Sequence, residues 1–115
     1  MKFNVFVYGT LKKGYKLHFY LKNAKFIGYG YVNGYDMYIV DWYPAVVKGR
    51  GRVYGEVYEV CQETLDILDG VEEEGFLYKR ICEKVYMKKG FIKAYMYVYL
   101  KDVSQLKRVP TGIFK

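Results

Sequence analysis

The sequence has few of the residues around which metal sites and histidine-dependent sites are built. It contains one histidine, His18, and two cysteines, Cys61 and Cys82, among 115 residues. Zinc sites usually need three or four Cys, His or carboxylate ligands grouped at short spacings, and no such group is found. Two well-separated cysteines also do not form a disulfide framework. We therefore predict no metal and no cofactor, and chemistry that depends on carboxylates or on the backbone.

Long apolar runs are missing as well. No segment of about 20 uncharged apolar residues is present, so no transmembrane helix is predicted. The first residues form too short an apolar stretch for a secretion signal and lack a small-residue cleavage site. Hydrophobic residues nevertheless make up 52% of the chain, which is enough for a core and argues against disorder. A single cytoplasmic domain over residues 1–115 is expected.

Only two prolines accompany 15 tyrosines and seven phenylalanines, a composition typical of strands. Asn33-Gly34 predicts a tight hairpin, because both residues tolerate positive φ. The segment after Leu100 is polar and basic and is predicted to be a surface tail. The pattern indicates an α+β domain with a curved or closed mixed sheet. Strands are predicted over Lys2–Tyr8, Ala24–Val32, Tyr35–Val40, Arg52–Val60, Tyr78–Met87 and Phe91–Leu100, with short helices over Tyr15–Lys22 and Gln62–Gly70.

Negative charge is scarce: the chain has 19 Lys and Arg but only 12 Asp and Glu, which gives a formal net charge of +7. Such an excess fits either a polyanionic partner or a solvated lysine-rich surface, and the second is favoured. The basic residues fall in several separate turns, so nucleic-acid binding is the weaker alternative. They are Lys12, Lys13, Lys16, Lys48, Arg50, Arg52, Lys88, Lys89 and Lys93.

The first candidate functional segment is Tyr8-Gly9-Thr10-Leu11, directly after the opening strand. A glycine at a strand exit lets the backbone approach a ligand closely, because no Cβ intervenes. Successive N–H groups in such a turn can converge on an anion or a developing oxyanion. The structural alternative is an ordinary turn.

The second is an acidic stretch formed by Asp66, Asp69 and Glu72–Glu74. As a group it is most simply a solvated face. Asp69, however, lies one helical turn after Leu65, on the side bordering the core, whereas Asp66 points away from it. A partly desolvated carboxylate at Asp69 would have a raised pKa and could act as a general base.

Two further segments allow either a structural or a functional interpretation. Trp42 and the Tyr43-Pro44-Ala45 step fix an extended turn that walls a pocket or packs in the core. Tyr78 and Arg80 lie on one face of a predicted strand. Arg80 is suited to bind a substrate carboxylate, or it pairs with nearby glutamates, which is the commoner role.

Taken in order, these segments resemble the gamma-glutamylcyclotransferase-like family down to about Leu100. The resemblance rests on the following segments: Val5-Phe6-Val7-Tyr8-Gly9-Thr10-Leu11, Tyr43-Pro44-Ala45, Val53-Tyr54-Gly55-Glu56-Val57-Tyr58, Leu65-Asp66-Ile67-Leu68-Asp69-Gly70, Tyr78-Lys79-Arg80 and Ala94-Tyr95-Met96-Tyr97-Val98-Tyr99. It implies a small mixed barrel flanked by helices.

The resemblance also implies a reaction. The α-amino group of a γ-glutamyl amine or peptide attacks its own γ-carbonyl carbon, giving 5-oxoproline and a free amine or amino acid. In the family the Tyr-Gly-Ser/Thr-Leu turn cradles the glutamyl group, so Tyr8, Gly9, Thr10 and Leu11 inherit that role. A non-catalytic member that binds a γ-glutamyl-like ligand is the alternative.

The sequence departs from the family at the general base. The family has a glutamate in the helix with the Leu-Asp pair, and here the aligned residue is Asp69. Aspartate is one methylene shorter, which reduces its reach by roughly 1.3–1.5 Å. We therefore expect Asp69 to be the base, with the loop residue Glu74 as the second choice and loss of activity as the third.

Overall fold

The opening strand is covered by apolar side chains on both of its faces. In the computed structural model, which describes residues 1–115, β1 spans Lys2–Val7. Val5 and Val7 belong to one buried cluster, and Phe6 belongs to another on the opposite face. A strand buried on both faces has an unbroken apolar sequence, which explains the run Val5–Tyr8. This strand therefore lies at the centre of the fold.

The remaining elements build a mixed sheet of six strands with one helix and a short 3₁₀ helix, which confirms the α+β class. They are the 3₁₀ helix His18–Leu21, β2 Lys25–Val40, β3 Tyr43–Cys61, α1 Gln62–Val71, β4 Tyr78–Met87, β5 Gly90–Tyr99 and β6 Lys107–Val109. The strand order is β3-β1-β5-β4-β2-β6, and β3 also pairs with β2. Only the pairing of β1 with β5 is parallel. None of the helices has the length and apolar character of a membrane span.

The predicted hairpin at Asn33-Gly34 is wrong, because both residues lie inside the long strand β2. The register between β2 and β3 shifts between Asn33 and Tyr35, and Gly34 has a φ of 84°. The tolerance of positive φ thus serves a bulge that bends the strand. The chain reverses eight residues later, where Asp41 has a φ of 51° and Val40 pairs with Tyr43. Aspartate is among the few non-glycine residues that adopt this conformation.

The predicted surface tail after Leu100 is wrong as well. β6 pairs antiparallel with β2, and Phe114 is only 8% exposed within the apolar cluster that contains Phe6. The Phe114 carbonyl accepts hydrogen bonds from Lys12 Nζ at 2.8 Å and from the Tyr15 hydroxyl at 3.2 Å. One inward-facing aromatic residue anchors a segment whose average composition is polar.

Two glycines give a test of this packing. A Cβ at Gly55 would collide with the Val7 carbonyl oxygen and with the Phe6 ring, whereas a Cβ at Gly70 in α1 would meet nothing within 4 Å. We expect Gly55→Ala to lower the free energy of unfolding by about 1–3 kcal/mol through overpacking. We expect Gly70→Ala to leave it unchanged or raise it by up to about 1 kcal/mol, because alanine favours a helix. Urea unfolding followed by circular dichroism measures both, and equal effects would contradict the packing described.

Candidate active site

A cavity of about 180 Å³ opens where β1 ends. Its walls come from the turn after β1, the start of β3, the end of α1, and strands β4 and β5. Most of the lining is apolar or aromatic, as is usual for small-molecule sites. All four residues predicted to hold a substrate line this cavity. The principal lining residues are Tyr8, Gly9, Thr10, Leu11, Trp42, Tyr43, Pro44, Glu72, Tyr78 and Tyr97.

The turn over Gly9–Leu11, which lines the cavity, has free backbone donors. The N–H groups of these three residues donate no hydrogen bond within the protein. Their carbonyl oxygens are used instead. The Gly9 carbonyl accepts from the Lys12 N–H at 3.0 Å and the Thr10 carbonyl from the Leu17 N–H at 2.9 Å. The turn is thus held rigid by its acceptors while its donors remain available to an anionic group.

The single histidine supports this turn from behind. His18 Nδ1 donates to the Leu11 carbonyl oxygen at 2.9 Å. Gly9 packs so closely on the Pro44 ring that a Cβ at this position would lie 2.7 Å from Pro44 Cδ and closer still to Cγ. The Tyr43-Pro44 step therefore walls the cavity, and Gly9 is needed because no larger residue fits against it.

Three buried tyrosines form the cavity floor. The Tyr8 hydroxyl donates to the Tyr97 carbonyl, and the Tyr78 hydroxyl donates to the Pro44 carbonyl at 2.6 Å. Burial raises the pKa of all three phenols, including Tyr97, above the ordinary value. At neutral pH they are therefore protonated hydrogen-bond donors and cannot act as bases.

Asp69 lies beside the cavity but does not line it. Its Oδ2 forms an ion pair with Arg80 Nη1 at 2.6 Å, and its Oδ1 accepts a hydrogen bond from the Tyr97 hydroxyl at 2.7 Å. Glu74 is exposed, and its Oε2 accepts from the Arg80 backbone N–H at 3.2 Å. The Arg80 side chain thus pairs with Asp69, and not with the nearby glutamates named as the structural alternative from the sequence. The structure does not bring either of the two predicted bases into the cavity lining.

Two glutamates line the cavity: Glu73, which is exposed, and Glu72, which directly follows α1 and is half-buried. The Glu73 N–H donates to the Gly70 carbonyl and the Glu74 N–H to the Asp69 carbonyl, and Glu73 has a φ of 50°. These bonds form the paired closure in which a left-handed residue terminates a helix, usually with glycine at that position. The sharp exit of the chain fixes Glu72 at the last position that keeps the helical register.

From the sequence, Glu72 was assigned to a solvated acidic loop, although its spacing from the apolar residues of α1 places it on their face. Glu72 lies four residues after Leu68 and seven after Leu65, the two buried residues of α1, so it continues their face. It makes no side-chain hydrogen bond in the protein, and burial raises its pKa from the ordinary value to about 7. No group of three or more His, Cys, Asp or Glu side chains in the protein is arranged to hold a metal ion.

The raised pKa of Glu72 predicts a specific pH dependence of stability. Between pH 4.5 and 7 the folded state binds more protons at this group than the unfolded state, so the free energy of unfolding falls as pH rises through this window. The loss amounts to on the order of 3 kcal/mol. Glu72→Gln should remove this pH dependence. The stability of the variant relative to the wild type should therefore be greater at pH 8 than at pH 5.

Urea unfolding of both proteins at pH 5 and pH 8 measures this difference. Glu63→Gln, which neutralises an exposed carboxylate at the start of α1, is the matched control and should show no such pH-dependent gain. A stability difference between Glu72→Gln and the wild type that does not change with pH would contradict the desolvation of this carboxylate.

The chain is similar to known proteins. The family described as gamma-glutamyl cyclotransferase, AIG2-like, matches residues 5–115. A Pyrococcus horikoshii protein is 48% identical over 66 residues, which are 57% of this chain and 56% of that protein. The Escherichia coli gamma-glutamylcyclotransferase family protein YtfP is 33% identical over 108 residues, covering 94% of this chain and 92% of YtfP.

Solved structures show the same fold. The crystal structure from Pyrococcus horikoshii has a TM-score of 0.80 at 38% identity and covers 96% of this chain and 88% of that one. An aig2-like protein from Mus musculus has a TM-score of 0.84 at 25% identity, covering 98% and 94%. The chain therefore belongs to the AIG2-like gamma-glutamyl cyclotransferase family.

Proposed function

We propose that this protein is a gamma-glutamylcyclotransferase that converts a γ-glutamyl amine or peptide into 5-oxoproline and a free amine or amino acid. The observation that carries the proposal is the juxtaposition of two groups in one small cavity. Gly9–Leu11, whose backbone N–H groups are unpaired, line the cavity, and Glu72 lines it as well. Family membership supports the same reaction.

The reaction needs little more than this apparatus. The α-ammonium group of the substrate loses a proton to a carboxylate, and its nitrogen forms a bond to the γ-carbonyl carbon. The ring nitrogen loses a second proton as the bond from that carbon to the departing nitrogen breaks. Both protons pass to the departing nitrogen, which leaves as an ammonium ion. No water is consumed. Because the nucleophile is tethered to the electrophile, folding the glutamyl chain into a reactive conformer supplies a large part of the rate.

The turn after β1 has two tasks in this proposal. Its free N–H groups bind the anionic parts of the glutamyl unit and the oxyanion that develops during attack. Tyr8 and Leu11 border the chain of the substrate, and Gly9 lets the backbone approach it. In this proposal the proton acceptor is Glu72, which lines the cavity. Asp69 and Glu74, to which the resemblance points, do not line it.

Incubation of the protein with γ-glutamyl dipeptides and with γ-glutamyl-ε-lysine, followed by detection of 5-oxoproline, tests the proposal. We expect release of 5-oxoproline with at least one of these substrates. If the protein binds a γ-glutamyl ligand in calorimetry but releases no 5-oxoproline from any of them, it is a ligand-binding member of the family and the proposed activity is contradicted.

A glycine substitution tests the role of the turn. Gly9→Ala would force the turn away from Pro44, and misplacement of about 1 Å costs roughly 100-fold in rate. We expect a loss of that order in kcat/KM for 5-oxoproline release. Gly70→Ala, whose added Cβ meets nothing within 4 Å, is the control and should remain as active as the wild type. Equal activity of the two variants would exclude the turn from the active site.

A further inference from the structure

We propose that one face of the sheet binds single-stranded nucleic acid. This aromatic-basic face combines a row of aromatic rings with a set of exposed cations. None of its residues lines the cavity beside Glu72, so the inference goes beyond the proposed function and does not depend on it. The rings belong to Tyr54, Tyr31, Tyr86 and Phe91, and the cations to Arg52, Lys84, Lys88 and Lys93.

The row of four rings crosses four strands without a break. Tyr31 on β2 lies opposite Tyr54 on β3 and Tyr86 on β4, and Tyr86 in turn lies opposite Phe91 on β5. Successive ring centroids along the row are 5.7, 5.5 and 6.1 Å apart. The rings at the two ends, Tyr54 and Phe91, are 38% and 52% exposed. Exposed rings of this kind are the surfaces on which unpaired bases stack.

An open groove of about 470 Å³ lies beside the row, between β2, β3 and the end of β4. Tyr31, Tyr54, Tyr86 and Lys88 are among the residues that line it. A concave surface admits a flexible chain that carries planar groups, whereas the flat surface of a membrane cannot enter it. The shape of the groove therefore favours a strand over a bilayer as the ligand.

The cations of this face are free to attract an anion. None of the four takes part in either of the two ion pairs of the protein. Arg52 lies over the Tyr31 ring, with 4.0 Å from the guanidinium carbon to the ring centroid, and Lys84 Nζ lies 4.5 Å from the Phe91 centroid. Because no carboxylate neutralises these charges, they give the face a positive potential.

The one carboxylate that lines the groove is already engaged. Glu56 is 8% exposed, and its Oε1 accepts hydrogen bonds from the Tyr58 hydroxyl at 2.8 Å and from the Lys13 N–H at 2.9 Å. Lys12 lines the same groove and balances the charge of Glu56. The exposed cations therefore set the sign of the face.

Two of these cations repel each other. Lys84 and Lys93 lie directly opposite on β4 and β5, and both are exposed. Like charges at opposed positions destabilise an antiparallel pair of strands. An anion bound between the two lysines removes this repulsion. The pair therefore favours a polyanionic ligand over a merely solvated lysine-rich surface, which is the interpretation that composition favours.

Single-stranded nucleic acid is the partner that uses both components of the face. Its phosphates are attracted by the cations, and its unpaired bases stack on the rings. A duplex keeps its bases stacked on one another, and a polyanion without bases uses the cations alone. In the sequence, Arg52, Lys88 and Lys93 fall in separate segments, which argued against nucleic acid, but the sheet brings them to one face.

Fluorescence anisotropy of labelled oligodeoxythymidylate and oligouridylate, each of about 12 nucleotides, tests the inference on the full chain. If each of the four cations neutralises one phosphate, the logarithm of affinity should fall with the logarithm of salt concentration with a slope of roughly −2.8. We therefore expect about 50-fold weaker binding at about 200 mM salt than at about 50 mM salt.

Removal of one ring separates stacking from charge. Phe91→Ala should weaken binding about 5–150-fold, and Tyr54→Ala, at the other end of the row, should lose affinity in the same range. Phe76→Ala is the matched control, because Phe76 is also exposed and has Lys101 Nζ 4.3 Å from its ring centroid, but lies outside this face. It should bind as the wild type does, and circular dichroism should show all three variants folded.

Removal of the opposed lysines tests the charge. Lys84→Gln combined with Lys93→Gln should reduce the size of the salt slope by about 1.4. The midpoint of urea unfolding should stay the same or rise, because the repulsion is lost. Lys79→Gln combined with Lys101→Gln removes the same net charge from exposed positions outside this face and should leave the slope unchanged.

Several results would overturn the inference. One is the absence of binding to either oligonucleotide at about 50 mM salt and about 100 μM protein. Another is binding that persists unchanged in Phe91→Ala and Tyr54→Ala, or that is equally tight for a duplex or for heparin, since the rings then play no part. If anionic vesicles bind but oligonucleotides do not, or if Phe91→Ala only dissociates a dimer, the partner is a membrane or a second copy. Release of 5-oxoproline is measured separately, so failure here leaves the proposed function standing.

Discussion

The burial of β1 on both faces is the constraint on which the rest of the site depends. Val5 and Val7 pack on one side, Phe6 packs on the other, and the strand is held between β3 and β5. A strand fixed in this way delivers the following turn to a defined place. Gly9 then meets Pro44 with no room to spare, and the N–H groups of Gly9–Leu11 remain free at the cavity wall. The rigidity of the donors is thus a consequence of core packing.

The second component of the site is the end of a helix. α1 buries Leu65 and Leu68, and Glu72 is the next residue on the same face. The left-handed conformation of Glu73 ends the helical register directly after it. Glu72 consequently lies over apolar surface without a charged partner, and desolvation raises its pKa. Asp69, one turn earlier, has an arginine and a tyrosine for partners. Of these two carboxylates three residues apart, one is thus held by a cation and a phenol, and the other has no hydrogen-bonding side chain.

Much of the fold could be predicted from local pattern, and the failures have physical causes. Gln62–Gly70 and Tyr78–Met87 have clear periodicity, and both elements are present. The hairpin prediction at Asn33-Gly34 failed because positive φ is compatible with both a bulge and a hairpin turn. Which of the two forms depends on the pairing with the partner strand. Phe114 is buried by contacts with distant residues that no local composition reveals. The turn Tyr8–Leu11, predicted to hold a substrate, lines the cavity. The placement of Glu72 depends on where α1 ends, and sequence rules favour glycine over glutamate at the left-handed position that Glu73 occupies.

The most direct test of this account is the titration of the Glu72 carboxyl carbon by nuclear magnetic resonance in the folded protein. A midpoint near pH 7 is predicted, because the half-buried group is desolvated beside phenols and has no cationic partner. A midpoint in the ordinary range of a solvated glutamate, about 4.3, would contradict the claim that this cavity holds a carboxylate poised to exchange a proton at neutral pH.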